Sequence, residues 1–193
     1  MKQEATMAQE LYREFQVILV PGLHDSSPDH WQSLWQQRYP EFFRVEQDHW
    51  DTPDLPAWTA RLDQVRARDP RPALFIAHSF GCLATVASIN ANPAGAAGAL
   101  LVAPADPHKF GVAGALPPAA LAVPTTVVSS RDDPWMAAAD AAMWARRWHS
   151  ELVDAGAIGH INAASALADW PWGLNTLQLL YERAHAPQRA LLA

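Results

Sequence analysis

The sequence predicts an α/β chain, with a mainly parallel sheet of about six strands and helices packed on both faces. Three observations predict it. Short β-rich runs alternate with segments of helix length along most of the 193 residues. The run Ala73–Ala77 (ALFIA) is continuously apolar instead of alternating, as a strand covered on both faces must be. Proline and glycine punctuate the junctions, as at Pro21-Gly22, Pro70 and Pro72.

The first strand is Val17–Val20, β-branched and apolar, and it stops at Pro21-Gly22. Ser27-Pro28 reads as an N-cap followed by proline at the first helical position. Trp31, Leu34, Trp35 and Arg38 follow at helical spacing. A weaker strand covers Phe43–Glu46. Pro53 to Pro56 open a helix whose apolar face is Trp58, Leu62 and Val65, and Pro70 and Pro72 end it. After strand Ala73–Ala77 come a helix from Phe80 to Asn90, a strand Ala99–Ala103 and a proline-rich loop through Pro118. Strand Thr125–Ser129, helix Ala137–Trp148 and a short last strand, Glu151–Asp154, complete the sheet. Leu174, Leu177, Leu180, Tyr181 and Ala184 mark the closing helix. No repeat or linker interrupts the series, so residues 15–185 read as one domain, after a polar extension (1–14) and before a short tail (186–193).

Composition narrows the function classes. The net charge of −6 leaves no clustered Lys and Arg for phosphate contacts, so nucleic acid is not an expected partner. The first fourteen residues lack the apolar core of a signal peptide, and no window is long and apolar enough to span a bilayer. A cytoplasmic protein is expected. The single cysteine, Cys82, can form no intramolecular disulfide and no Cys-based metal cluster, and it reads as a small buried residue. Nine tryptophans supply large apolar area, for core packing and pocket lining.

The chemistry concentrates at Ala77-His-Ser-Phe-Gly81, where a buried strand runs into a helix through a serine flanked two positions away by small residues. The backbone doubles back so tightly at such a turn that only small residues fit there. The turn pushes the Ser79 hydroxyl out at the C-terminal edge of the sheet and aims the N-terminus of the next helix at the same spot, where its N–H groups favour developing negative charge. The competing reading, Ser79 as a plain N-cap, leaves the flanking small residues without a reason. His78 points the wrong way along the turn to act as base and reads as a supporting residue.

A serine hydroxyl needs a base to remove its proton, and an acid to orient that base. In this arrangement the chain order is Ser, acid, His. Of the downstream histidines, His149 ends a helix and His185 sits in the polar tail, so both read as solvated. His108 lies in the long loop and is the fallback. His160, in Ala157-Ile-Gly-His-Ile161 after a short strand, is the expected base, because the glycine permits a loop that swings over the sheet edge. The acid is expected after Thr125–Ser129, where Asp132 and Asp133 both qualify. Two backbone N–H groups should receive the oxyanion: that of Phe80, and one from the loop after the first strand, with Leu23 the leading candidate and His24 the alternative. Phe80, Phe110, Trp135 and Trp170 suggest a small hydrophobic pocket, with His24 at its rim.

Other chemistries have less support. His24, Asp25, Asp29 and His30 form a conceivable metal set, but without the spacing of a known ligand motif, so no metal is expected. Neither GxxxxGK[ST] nor GxGxxG occurs, so neither a nucleotide nor a dinucleotide cofactor is expected. The alternative to an enzyme is a protein-binding module that keeps the fold without the chemistry.

The combination VPGLHDSSPDHWQ, AHSFG, SRDDPW and GHIN resembles a family of small serine hydrolases that includes retinoblastoma-binding protein 9 and bacterial relatives. The resemblance runs from about Val17 to Tyr181, with His30-Trp31 as its distinguishing mark. It implies an α/β-hydrolase fold without cap domain or cofactor, and a triad of Ser79, Asp133 and His160, with the aspartate before Pro134 chosen over Asp132. Leu23-His24 departs from the glycine-rich sequence frequent there. The expected activity is hydrolysis of an ester, or less readily an amide, of a small hydrophobic substrate through an acyl-enzyme on Ser79.

Overall fold

The protein is described here by a computed structural model covering residues 13–192, with residues 186–192 as helix backbone. Most of the polar extension therefore lies outside the described residues. Six parallel strands form one sheet: β1 (Gln16–Val20), β2 (Phe43–Arg44), β3 (Ala73–His78), β4 (Ala96–Val102), β5 (Thr125–Ser129) and β6 (Glu151–Asp154), in the spatial order β2-β1-β3-β4-β5-β6. Five α-helices accompany them among the described residues: α1 (Trp31–Arg38), α2 (Leu55–Arg66), α3 (Phe80–Ala91), α4 (Ala138–Trp148) and α5 (Pro171–Leu192).

The pleat sorts the core into two halves. Ile18, Val20, Phe75 and Ala77 face one side, where they meet Trp58, Leu62, Leu83 and Trp144 of α2, α3 and α4. Val17, Leu19, Leu74 and Ile76 face the other, against Trp31, Trp35, Leu174 and Leu177 of α1 and α5. Most of the tryptophans serve this packing: Trp31, Trp35, Trp58, Trp144, Trp148 and Trp170 are buried, while Trp135 and Trp172 are exposed.

The chain turns one way from β1 to reach β2 and the other way to reach β3, so the loops leaving the C-terminal ends of β1 and β3 part there. A crevice at such a reversal of strand order is where open α/β sheets place their ligands. Ser79 follows β3 directly, and Pro21-Gly22 follows β1.

Several boundaries differ from the sequence reading. Helix α1 starts at Trp31, not after Ser27: the Ser27 hydroxyl is taken by Asp29, and the His30 imidazole accepts the Gln32 N–H as the true N-cap. β2 is only two residues long, pairing with Ile18 and Leu19 at the sheet edge. β4 begins at Ala96, three residues early, and Gly98 permits a close approach in which an added Cβ would stand 2.8 Å from the Pro124 carbonyl oxygen. α5 continues as helix through the stretch read as a tail. His185 on that helix is not merely solvated: its ring lies 2.6 Å from the Glu14 carboxylate and stacks on Tyr181.

Among the glycines, the closest approach to neighbouring backbone is at Gly81. A Cβ there would stand 2.4 Å from the carbonyl oxygens of both Val20 and Pro21, so the first turn of α3 rests directly on the end of β1. Main chain cannot swing aside as a side chain can. Gly81→Ala should therefore cost about 1–3 kcal/mol, a fall in melting temperature of roughly 2–4 °C per kcal/mol for a chain of this size. A thermal melt with the wild-type midpoint would refute this account of the elbow.

Candidate active site

The elbow forces Ser79 into a backbone conformation with φ 52° and ψ −122°, sparsely populated for a residue with a side chain. Such a conformation costs about 1–3 kcal/mol and persists only when its surroundings impose it. Here the Ser79 N–H donates to Val102 O (3.1 Å), and its carbonyl accepts from Cys82 and Ala105. The hydroxyl is left free to point out of the sheet.

It meets His160. Ser79 Oγ lies 2.9 Å from His160 Nε2, and His160 Nδ1 lies 3.0 and 2.9 Å from the two carboxylate oxygens of Asp133. Both partners are shielded, with side-chain exposures of 10% for His160 and 2% for Asp133. The carboxylate accepts at Nδ1, so the hydrogen sits there and Nε2 is free to accept the serine proton. Asp133 Oδ1 is also held by the Trp135 N–H at 2.9 Å.

Asp132, the other candidate acid, has a different partner. Its Oδ1 accepts from the Gly159 N–H and the Ser130 hydroxyl, both at 2.8 Å, which ties the loop carrying His160 to the end of β5. Three more bonds fix that loop. His78 Nε2 donates to the His160 carbonyl (3.0 Å), Trp31 Nε1 donates to the Ile161 carbonyl (2.8 Å), and the Ser165 hydroxyl donates to the Ile158 carbonyl (2.6 Å). The sequence marked His78 as a supporting residue and His30-Trp31 as distinctive. It offered no means of seeing that His78 and Trp31 grip the same loop, because their targets lie 82 and 130 residues away.

On the opposite rim is the loop after β1. His24 and Asp25 both adopt left-handed backbone (φ 65° and 63°), a pairing that glycine-rich sequence would adopt without strain. The strain is countered by side chains: Arg44 of β2 bonds Asp25 and, at 2.8 Å, the Ser26 carbonyl, while His24 pairs with Asp51 at 2.8 Å. The two oxyanion candidates now separate. The His24 N–H is bonded to Trp50 O at 3.1 Å, whereas among the described residues the N–H groups of Leu23 and Phe80 have no acceptor.

A cavity of about 270 Å³ opens beside Ser79 and His160, with apolar lining from Leu23, Ala105, Phe110 and Trp135 and polar lining from His24, Asp25, His30, His78 and Asn162. The sequence placed four aromatics near the site. Phe110 and Trp135 line the cavity, but the Phe80 ring is buried between Trp58 and Phe110, and Trp170 lies in the core on the other face of the sheet. His108 and His149 are exposed and away from the cavity. The conceivable metal set is not assembled: His24, Asp25, Asp29 and His30 are bonded to Asp51, Arg44, Ser27 and Gln32 respectively, and no group of His, Cys, Asp and Glu among the described residues could hold a metal ion.

The family profile described as serine hydrolase matches residues 17–179. The chain belongs to the serine hydrolase family. A candidate YdeN-like hydrolase from Pectobacterium atrosepticum is 37% identical, over 94% of this chain and 98% of that one, with a TM-score of 0.91. The ydeN gene product of B. subtilis superposes with a TM-score of 0.73 at 18% identity, over 87% of this chain and 99% of that one. The esterase RhEst1 from Rhodococcus sp. ECU1013 does so with a TM-score of 0.68 at 14% identity, over 89% and 92%. Comparison with curated protein sequences returned no match. The protein is thus an α/β hydrolase built on an open parallel sheet, with no cap domain among its described residues. Among its described residues no helix is long and apolar enough to cross a membrane.

Two further imidazoles pack in file behind His160, with ring centroids 4.9 Å apart from His160 to His78 and 4.8 Å from His78 to His30. Burial, with His30 and His160 close by, holds His78 well below the ordinary histidine range. Burial, followed by the Arg44 guanidinium and His160, pulls His30 down to about 4. Both rings are neutral when the protein is folded at neutral pH. A group whose folded pKa is depressed in this way binds its proton first in the unfolded chain, so acid favours unfolding. Stability should fall as pH drops from about 6.5 to about 4, by about 3 kcal/mol from His30 alone. Denaturant titrations at a series of pH values measure the slope. His30→Asn, which keeps an N-capping oxygen, should flatten it; an unchanged slope would show that His30 is not the proton sink.

Proposed function

We propose that this hydrolase is a serine esterase that cleaves small carboxylic esters, with Ser79 as nucleophile, His160 as general base and acid, and Asp133 as the group that orients and charge-stabilises the imidazole. One observation carries the reading: an uninterrupted line of hydrogen bonds from carboxylate to imidazole to hydroxyl, ending in a cavity. The Ser79 proton passes to His160 Nε2 as Oγ attacks the ester carbonyl carbon. Negative charge then gathers on the former carbonyl oxygen, where the Leu23 and Phe80 N–H groups, unspent in the fold, can receive it. Collapse of the tetrahedral adduct breaks the bond to the alkoxide, which leaves with the proton from His160. A water, deprotonated by the same ring, releases the acid and restores Ser79. The apolar lining from Leu23, Ala105, Phe110 and Trp135 suits a short hydrophobic group on the substrate.

Asp132 and Asp133 provide the discriminating test. A fluorophosphonate probe should label the wild type and fail to label Ser79→Ala. Asp133→Asn should lower kcat on p-nitrophenyl butyrate by about three to four orders of magnitude, as loss of the orienting carboxylate does in other triads. Asp132→Asn, which loosens the loop without removing the acid, should lower it far less. Equal losses in the two aspartate variants, or labelling that survives Ser79→Ala, would defeat the assignment.

A further inference from the structure

The cavity at Ser79 has both apolar and polar lining, and part of the polar lining is shared with a second space. His24 and Asp25 also line a second, larger cleft of about 560 Å³, so one ridge of the loop after β1 borders both spaces. The far wall of the cleft is one face of α1, made by Ser33, Gln36 and Gln37 at helical spacing. Ser27 closes the loop side, and Arg44 and Glu46 come from the sheet edge. Apart from Pro28, every side chain lining it is polar.

The cleft carries no spare positive charge. The Arg44 guanidinium bonds Asp25, and its Nε lies 3.8 Å from Glu46, so two carboxylates face one guanidinium and an anionic ligand finds no spare cation in the cleft. The neutral groups that remain open are amides. Gln36 gives only its Oε1 to Arg44, at 3.4 Å, and the Gln37 amide has no partner among the described residues. Neutral groups that donate and accept at once match hydroxyls, which do the same.

We infer that this cleft is a subsite for a hydroxyl-rich arm of the ester. The substrate is then amphipathic: small and apolar on one side of the bond that Ser79 attacks, polyhydroxylated on the other. This rests on the esterase reading above. The hydroxyls can belong to the alcohol, as in a sugar ester, or to the acid, as in an aldonate ester. The shared chemistry is a neutral chain of hydroxyl groups long enough to cross the His24–Asp25 ridge.

Two matched pairs of substrates test it: glucose 6-butyrate against hexyl butyrate, and butyl gluconate against butyl hexanoate. The inference expects the wild type to favour the hydroxylated member of at least one pair by about tenfold or more in kcat/KM, since polar groups bound to hydroxyls are left unpaired by an alkyl chain. Whichever pair shows the preference identifies the half that carries the hydroxyls. In Gln36→Leu/Gln37→Leu the ratio should collapse towards one. Gln37→Leu alone, at an exposed position that makes no hydrogen bond among the described residues, should lower it in the same direction and covers the case in which the double variant unfolds. Alkyl esters turned over as well as their hydroxylated partners in both pairs, or a ratio that ignores both variants, would overturn the subsite. If the wild type labels with fluorophosphonate but shows no preference, the subsite alone falls. If it neither labels nor cleaves any of the four esters, the esterase reading falls and takes the subsite with it.

Discussion

The active site depends on the place where the first turn of α3 lies against the backbone at the end of β1, with no side chain between them. Only a residue without Cβ fits at position 81. The chain entering that turn must bend within one residue, so Ser79 carries the strain while its hydroxyl is lifted clear of the sheet. The same contact draws the loop after β1 beside the N-terminus of α3. The unspent N–H groups of Leu23 and Phe80 thus come from two segments far apart in sequence but joined by one backbone contact. Packing energy from both halves of the core holds this arrangement against its local cost.

Holding the imidazole is a different problem. His160 sits on an irregular segment after a four-residue edge strand, the kind of element that is mobile unless it is tied down. The ties come from segments anchored on the sheet and helices: from His78 at the end of β3, from Trp31 at the start of α1, and from Asp132 and Ser130 in the turn that follows β5. Position is thereby transferred from the rigid sheet to a flexible loop through side chain–backbone bonds, and the Asp133 carboxylate acts on a ring whose main chain is already fixed.

Much of this was legible in the sequence because it is local. The strand–Ser–helix junction, the small residues around it and the buried run of β3 are neighbours in the chain, and hydrophobic periodicity located every strand to within a few residues. What was hidden is non-local. The residues alone left Asp132 and Asp133 equivalent, since the choice between them turns on whether Gly159 or His160 lies opposite each, 27 positions further along the chain. His24 and Leu23 differed only once Trp50 was seen to take one of their N–H groups. The N-cap of α1 was misplaced because an imidazole accepted the Gln32 N–H where serine is the common choice. Phe80 and Trp170 read as pocket aromatics because composition cannot say which face of a sheet a ring takes.

The outermost strands bear on how the protein behaves when crowded by copies of itself. At one margin β2 offers only two residues for pairing, one of them an arginine. At the other, β6 carries Glu151 and Asp154 on a strand of four. A sheet that ends in so little unpaired backbone, bordered by charge, is a poor template for a stray strand from another molecule. The six-stranded platform therefore stops growing at its own boundaries, which guards against fibril-like stacking.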